Sequence, residues 1–93
     1  MIVSQQILDN LCEDAGEKRT QKARMYKSLG RVEIIEIEYR DTNNFSLRGL
    51  VVGSEPYKTY ISVSDGEIDD ITCNCQDYYN HYGVCKHTLA TVM

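Results

Sequence analysis

The feature that most restricts how this 93-residue chain can fold is a group of four metal-ligand side chains near its end. Cys73 and Cys75 are separated by one residue, nine residues follow, and Cys85 and His87 are again separated by one residue. Thiolates and imidazoles bind zinc at about 2.3 Å through sulfur and about 2.0 Å through nitrogen. The spacing therefore predicts one tetrahedral zinc site that closes a loop between two ligand pairs.

The two ligand pairs need different backbone conformations to point at one ion. Residues i and i+2 of a strand lie on the same side, so Cys73 and Cys75 suit the end of a strand. Residues two apart in a helix point nearly opposite ways. We therefore expect Cys85 to lie in a turn and His87 to reach back from the first turn of a helix that continues over residues 88–93.

Four protein ligands leave no coordination position for water or substrate, so the predicted zinc is structural rather than catalytic. Structural zinc contributes roughly 10 to 16 kcal/mol in small domains, against about 5 to 15 kcal/mol for the net stability of a whole domain. We therefore expect the last 25 or so residues not to fold without the ion. His81 is the alternative to His87 as the fourth ligand.

A metal is also expected because the apolar core must be small. A chain of 93 residues removes only about 60 to 65% of its unfolded surface from water, and this one has no Trp and one Phe. The content of 42% hydrophobic and 26% charged residues is ordinary for a globular domain. We expect a single domain that packing alone would leave marginally stable.

The sequence shows neither a secretory signal nor a membrane span. Its start lacks a basic segment followed by an apolar run, and no stretch approaches the roughly 18 apolar residues of a span. We therefore expect a cytoplasmic protein without a membrane partner. Disulfides are rare in that reducing location, so metal ligation is preferred over the alternative of paired cysteines in a secreted protein.

The first 30 residues show helical periodicity. Ser4 is a candidate N-cap, and Gly16 either ends the first helix or only weakens it. Gly30 is the expected stop, and Cys12 is expected to be a small core residue. The apolar positions, which recur at spacings of three and four, are Ile7, Leu8, Leu11, Cys12, Ala15, Ala23, Tyr26 and Leu29.

Residues 31–72 change to alternating, β-branched sequence, which predicts four antiparallel strands joined by short turns. The doubled Ile34 and Ile35 mark either a bulge or a strand covered on both faces. Asp65 and Gly66 form a strong hairpin signal. The predicted fold is α+β: an N-terminal helix packed on a four-stranded antiparallel sheet, then a zinc-binding turn and a short helix. The predicted strands are 32–39, 45–51, 57–63 and 67–72.

Charge is distributed unevenly along the chain. The net charge is −4, which argues against nucleic-acid binding by the whole surface. Between positions 18 and 31, however, there are six cations and no acid. These tentative nucleic-acid contacts are Lys18, Arg19, Lys22, Arg24, Lys27 and Arg31. The alternative is a solvated helix face, and the rest of the chain is strongly acidic.

Tyrosines supply most of the aromatic surface, and four of them are candidates for stacking on an exposed base. They are Tyr26, Tyr78, Tyr79 and Tyr82. For the three that follow Cys75, packing around the sulfurs is the alternative role. The pattern allows DNA or RNA as a partner of this segment.

The run Cys-x-Cys-x9-Cys-x-His followed by Leu-Ala resembles the SWIM zinc finger. The likeness is tightest over residues 71–93, and Gln76 stands where many members carry Pro. Residues 23–63 more loosely resemble the strand region before this finger in prokaryotic helicase-like Swi/Snf ATPases. The resemblance implies a zinc-binding, nucleic-acid-associated accessory module of such an ATPase, and we expect the chain to be a fragment of a larger protein.

We expect residues 1–93 to form one module, with residues 1–30 helical, 31–72 in the sheet and 73–93 in the finger. The alternative function is docking on a protein partner or on the rest of its own chain, for which an exposed face of Leu89, Val92 and Met93 would be the sign. We do not expect an enzyme that acts through zinc or a reactive thiol such as Cys12, because the ligand set is closed and no His with an acidic partner is placed to activate a thiol. No Gly-rich phosphate loop with its Lys is present, so we expect no nucleotide hydrolysis and no small-molecule substrate.

Overall fold

The computed structural model describes residues 3–76 and 84–93, which form an α+β fold with an antiparallel sheet. The predicted fold class is confirmed. None of the helices in these two segments is long and apolar enough to cross a membrane. In chain order the elements of the described segments are α1 (Gln5–Ala15), α2 (Glu17–Ser28), β1 (Val32–Asp41), β2 (Asn44–Val52), β3 (Pro56–Ser64), β4 (Glu67–Cys73) and α3 (Lys86–Val92).

The N-terminal segment is two helices rather than one, because the chain turns at Gly16. Ser4 caps α1 as predicted, since its hydroxyl accepts a hydrogen bond from the Ile7 N–H at 3.3 Å. Gly16 has a φ of 89°, a backbone conformation that is unfavourable for residues with a side chain. It is both the C-cap of α1 and the N-cap of α2. Of the two roles left open for Gly16, the structure shows the helix end.

Gly30 follows the end of α2, as predicted. The Gly30 N–H donates to the Lys27 carbonyl at 3.1 Å, and the Arg31 N–H donates to the Tyr26 carbonyl at 3.0 Å. This pair of bonds is a Schellman motif, which satisfies carbonyls that the helix end would leave open. The chain then enters β1 directly at Val32.

The sheet is a meander with strand order β1-β2-β3-β4. β2 and β3 bury alternate residues on one face, as the alternation in the sequence predicts. The Asp65-Gly66 turn joins β3 to β4, and both of its residues have positive φ, as a tight hairpin requires. The buried residues of this inner face include Phe45, Leu47, Val51, Thr59, Ile61 and Val63.

β1 contains a bulge at the doubled isoleucines. The register with β2 shifts between Ile34 and Glu36, so Ile35 is the extra residue. Strand β1 is not covered on both faces, because every residue from Glu33 to Asp41 is exposed. The bulge is therefore the correct one of the two interpretations.

α3 is the middle layer of the fold. It lies on the inner face of β2 and β3, and α2 packs against it from the other side. Leu89 and Val92 are fully buried, and Met93 packs against the core. The sheet and the other helices thus cover the face of α3 that carries these residues. This burial counts against the hypothesis that the chain docks on a partner through α3.

Candidate metal centre

The end of β4 and the start of α3 bring the four predicted ligands together. Cys73 is the last residue of β4, and Cys75 follows two positions later. Cys85 is the N-cap of α3, and His87 lies in its first turn. All four side chains are buried, and their ligand atoms lie within 4.8 Å of one another.

The distances between the ligand atoms of the cluster fit one metal ion. Ligand atoms around a tetrahedral zinc lie roughly 3.5 to 3.8 Å apart, given the usual zinc bond lengths. His87 Nδ1 lies 3.8 Å from Cys73 Sγ. His87 Nε2 is buried and has no hydrogen-bond partner among the described residues. A metal ion takes one ring nitrogen of a histidine, so with Nδ1 as the ligand atom Nε2 would carry the ring proton.

Two tyrosines hold the imidazole of His87. Tyr57 of β3 stacks on it, with ring centroids 4.1 Å apart and an interplanar angle of 18°. The ring centroid of Tyr26, in α2, lies 5.5 Å from that of His87, and the two ring planes are tilted by 42°. Tyr57 also packs against the three cysteines, and its hydroxyl lies 3.0 Å from that of Ser54. The aromatic rings therefore fix the orientation of the only nitrogen ligand in the cluster.

Cys85 is anchored by the helix that it caps. The Thr88 N–H donates to Cys85 Sγ at 3.5 Å, and the Thr88 hydroxyl lies 3.4 Å from the same sulfur. That hydroxyl also donates to the Cys85 carbonyl at 3.1 Å. A sulfur at this position receives partial positive charge from the first turn of the helix, which favours the thiolate.

The ionisation of Cys73 and Cys85 is coupled. The thiol of Cys73 hydrogen-bonds to Cys85 and, with His87 and Thr88, holds the pKa of Cys85 far below its ordinary value. The same hydrogen bond, reinforced by burial, raises the pKa of Cys73. The hydrogen bond between the two sulfurs holds a proton, and a metal that binds both sulfurs must displace it.

A buried hydrogen bond joins α3 to β3, the strand that pairs with β4. Thr91 of α3 donates its hydroxyl proton to the His87 carbonyl at 2.9 Å. Thr59 of β3 lies 2.7 Å from the same hydroxyl, so Thr59 is the donor in that contact. Thr59 also pairs with Cys73 across the sheet. His87 and Cys73 are thus held in register through neighbours as well as through any shared ion.

The structure brings together the predicted ligand set. Cys73, Cys75, Cys85 and His87 form the cluster, while the alternative ligand His81 lies outside the described residues. Cys12 is partly buried and packs against the core, as predicted. All four cysteines are free of disulfides.

Folding divides the basic segment between two sides of α2. At about 100° per residue, Lys18 and Lys22 lie on one flank of the buried face, and Arg24 and Lys27 lie on the other. These four and Arg31 are exposed. Arg19 is half-buried and donates to the Ala15 carbonyl at 3.1 Å. The six cations therefore do not form one continuous stripe.

Of the four tyrosines predicted to stack on bases, the structure describes Tyr26. Tyr26 is only 9% exposed and contacts His87, so its prediction as a base-stacking residue is wrong. Its place on the apolar spacing of α2 already favoured burial. The others, Tyr78, Tyr79 and Tyr82, lie outside the described residues.

Tyr57 is the site residue that the sequence reasoning missed. Thr59 is the cross-strand partner of Cys73, so continuing the antiparallel register places Tyr57 beside Cys75. Counting outward from the Asp65-Gly66 turn would have indicated this proximity, although the register shift near Ser62 must be included.

Comparison with protein-family models, with curated proteins and with solved structures finds no match to this chain.

Proposed function

We propose that this chain is a zinc-binding module in which one zinc ion is structural. The observation that carries the proposal is the buried group of three thiols and one imidazole, whose ligand atoms all lie within 4.8 Å. Three soft sulfur ligands and one imidazole are the donor set of many structural zinc sites. A zinc bound there would link β4 to α3.

The donor set supports binding rather than catalysis as the role of the module. A zinc held by Cys73, Cys75, Cys85 and His87 has no open position for a substrate or an activated water. The thiols must stay reduced to bind metal, so we place the module in the cytoplasm.

Metal analysis of ligand variants tests the structural zinc. The purified chain should contain one zinc per molecule, and C85S and C73S should each lose most of it together with thermal stability. C12S is the matched control, because Cys12 packs on the core away from the cluster, and it should retain the metal. A chain that is fully folded without zinc, or C85S and C73S that keep full zinc content, would contradict the proposal.

We further propose an accessory role on nucleic acid within a helicase-like Swi/Snf ATPase. The resemblance of the ligand motif to the SWIM finger supports the parent class. The exposed ammonium groups of Lys18 and Lys22 support phosphate contact, because they lie one turn apart and make no hydrogen bond or ion pair within the described residues.

Salt-dependent binding tests this second proposal. Single-stranded and duplex DNA are titrated with the zinc-loaded chain between about 50 and 200 mM salt, where phosphate contacts weaken steeply. K18Q/K22Q should weaken binding and reduce the salt slope by about two, since each phosphate contact contributes about one. The control, R40Q/K58Q, removes the same charge from the sheet and should change little. Absence of binding at the lowest salt would refute the proposal for this chain.

Docking on a protein is the alternative function, and one observation favours it. β1 is a ten-residue strand whose residues are exposed from Glu33 to its end, although it carries several large apolar side chains. This surface is distinct from the covered face of α3.

A further inference from the structure

β1 is an open edge of the sheet. It pairs with β2 on one side, and no strand of the described residues pairs with its other side. Open edges present unpaired N–H and C=O groups to any extended chain, and proteins commonly shorten, cover or bend them. The register with β2 shifts at Ile35 and again between Tyr39 and Asp41, so the stretch from Glu36 to Tyr39 is the regular part of this edge.

The inner face of β1 continues the apolar face of the sheet beyond the helices. Ile34, Ile37 and Tyr39 pair across the strands with Gly49, Leu47 and Phe45, respectively. The β2 partners are buried, but the three β1 side chains are 38%, 43% and 49% exposed. An apolar ledge therefore lies beside the unpaired backbone, where an added strand would be able to cover it.

The outer face of β1 is acidic. Glu33, Glu36 and Glu38 project on the side opposite the apolar ledge, as their cross-strand partners Leu50, Arg48 and Ser46 show. Arg48 lies over the Tyr60 ring at 4.7 Å, so its charge is directed toward β3. A strand added beside β1 would meet glutamates on one face and apolar side chains on the other.

We propose that β1 binds an extended segment of a partner protein in which apolar and basic residues alternate. The segment adds a fifth strand to the sheet, its apolar residues cover Ile37 and Tyr39, and its Lys or Arg residues face the glutamates. A second copy of this chain is a poorer occupant, because pairing β1 with itself brings Glu36 and Glu38 of one copy beside those of the other. Like charges on adjacent strands are destabilising.

The test uses the zinc-loaded full chain and a synthetic ten-residue peptide in which Lys alternates with Val or Ile. A peptide of the same composition with the lysines in one block is the sequence control. The alternating peptide should bind, and amide hydrogen exchange should slow in β1 of the protein. The block peptide should bind at least about tenfold more weakly, because it cannot place each side-chain type on one face.

Two variants examine the two faces separately. I37E places a charge on the apolar ledge, and E33K/E38K reverses the outer charge opposite uncharged partners on β2. Each should raise the Kd by about tenfold. Their matched controls are I68E, on the other edge strand, and E55K/E67K, which reverses two exposed acids elsewhere. Both controls should bind like the unaltered chain.

Several results would overturn the proposal. The first is that the alternating peptide does not bind at about 1 mM, and the second is that I37E and E33K/E38K leave its binding unchanged. Amide hydrogen exchange that slows only in elements other than β1 would also contradict the proposal. Sedimentation that shows a dimer lost in I37E would identify a second copy as the occupant and refute the heterologous partner. Exchange on the unaltered chain decides the matter even where a variant folds poorly.

Discussion

The imidazole of His87 is oriented by its neighbours and not by the ion alone. Tyr57 stacks on one face at 4.1 Å, and Tyr26 limits its movement from α2. A ligand that already has the required rotamer loses little entropy when metal binds, and supporting residues of this kind commonly contribute 10-fold to 100-fold in metal affinity. Tyr57 is therefore a positioning residue of the candidate centre.

Replacing Tyr57 should weaken zinc binding through loss of the stacking ring. We expect Y57L to lower the zinc affinity about tenfold in competition with a chromophoric chelator. Y57F keeps the ring and should behave like the unaltered chain apart from losing the contact with Ser54. Y60L serves as control, because Tyr60 lies on the outer face and contacts Arg48. Equal affinities of Y57L and Y60L would contradict this role.

Zinc affinity should increase with pH. The pKa of Cys73 is raised, so its thiol is protonated at neutral pH in the metal-free protein and must release a proton to bind. Each displaced proton makes the apparent affinity rise up to about tenfold per pH unit. Isothermal titration in buffers of different ionisation enthalpy, from about pH 6 to 8, measures the protons released. A pH-independent affinity with no proton release would disprove the expectation.

At the level of elements, α3 packs closely on β2 at Gly49. A Cβ added at Gly49 would lie 2.5 Å from Thr91 Cγ2 and 2.8 Å from Thr59 Oγ1. Both neighbours belong to the buried hydrogen bond that joins the sheet to the ligand helix. Only glycine allows the helix to sit this deep on the sheet.

G49A should therefore destabilise the protein by forcing α3 away from the sheet. The expected loss is about 1 to 3 kcal/mol in the free energy of unfolding, as for other overpacked cores. T91S removes the methyl group of the shorter contact and keeps the hydroxyl, so G49A/T91S should recover part of the stability. Denaturant unfolding of the single and double variants measures this coupling. Strictly additive effects would show that the contact is not the cause.

The elements set by local sequence were predicted well. Ser4, the alternation of β2 and β3, and the Asp65-Gly66 turn act through neighbours in sequence, so their patterns can be recognised without the fold. The ligand set was equally accessible, because the spacing from Cys73 to His87 encodes both pairs. These features needed no knowledge of how the layers pack.

Contacts between distant residues were not accessible in the same way. The tilt of Tyr26 on His87 depends on α2 packing against α3, and the Thr59–Thr91 hydrogen bond joins residues 32 positions apart. The basic side chains of residues 18–31 lie on two sides of α2 because the face between them is buried. Periodicity indicates that a face is apolar, but it does not identify what the face contacts.

At the scale of the whole molecule, α3 connects every layer. It contacts both N-terminal helices and all four strands, although it is only seven residues long. Isolated helices of this length are unstable in water. The candidate metal ligands at its start and the burial of Leu89 and Val92 must therefore hold it in place.

Chelation should consequently unfold more than the finger. When zinc is removed, α3 loses its attachment to β4. We then expect α2 and the inner face of the sheet to become exposed to solvent. Circular dichroism with parallel metal analysis should show a lower Tm and less helix in the metal-free chain. Zinc should restore both, while magnesium should not. Retention of full helix content and Tm in metal-free protein would contradict this expectation.

The position of α3 has a consequence for biosynthesis. It comes last among the described elements, yet it occupies the centre. A nascent chain therefore exposes β2, β3 and the apolar side of α2 until residues 86–92 have been made, with no local substitute for the missing layer. With zinc as the proposed ion, cellular zinc supply would affect the yield of folded protein during translation, because the ion would link α3 to β4 as soon as the helix is made.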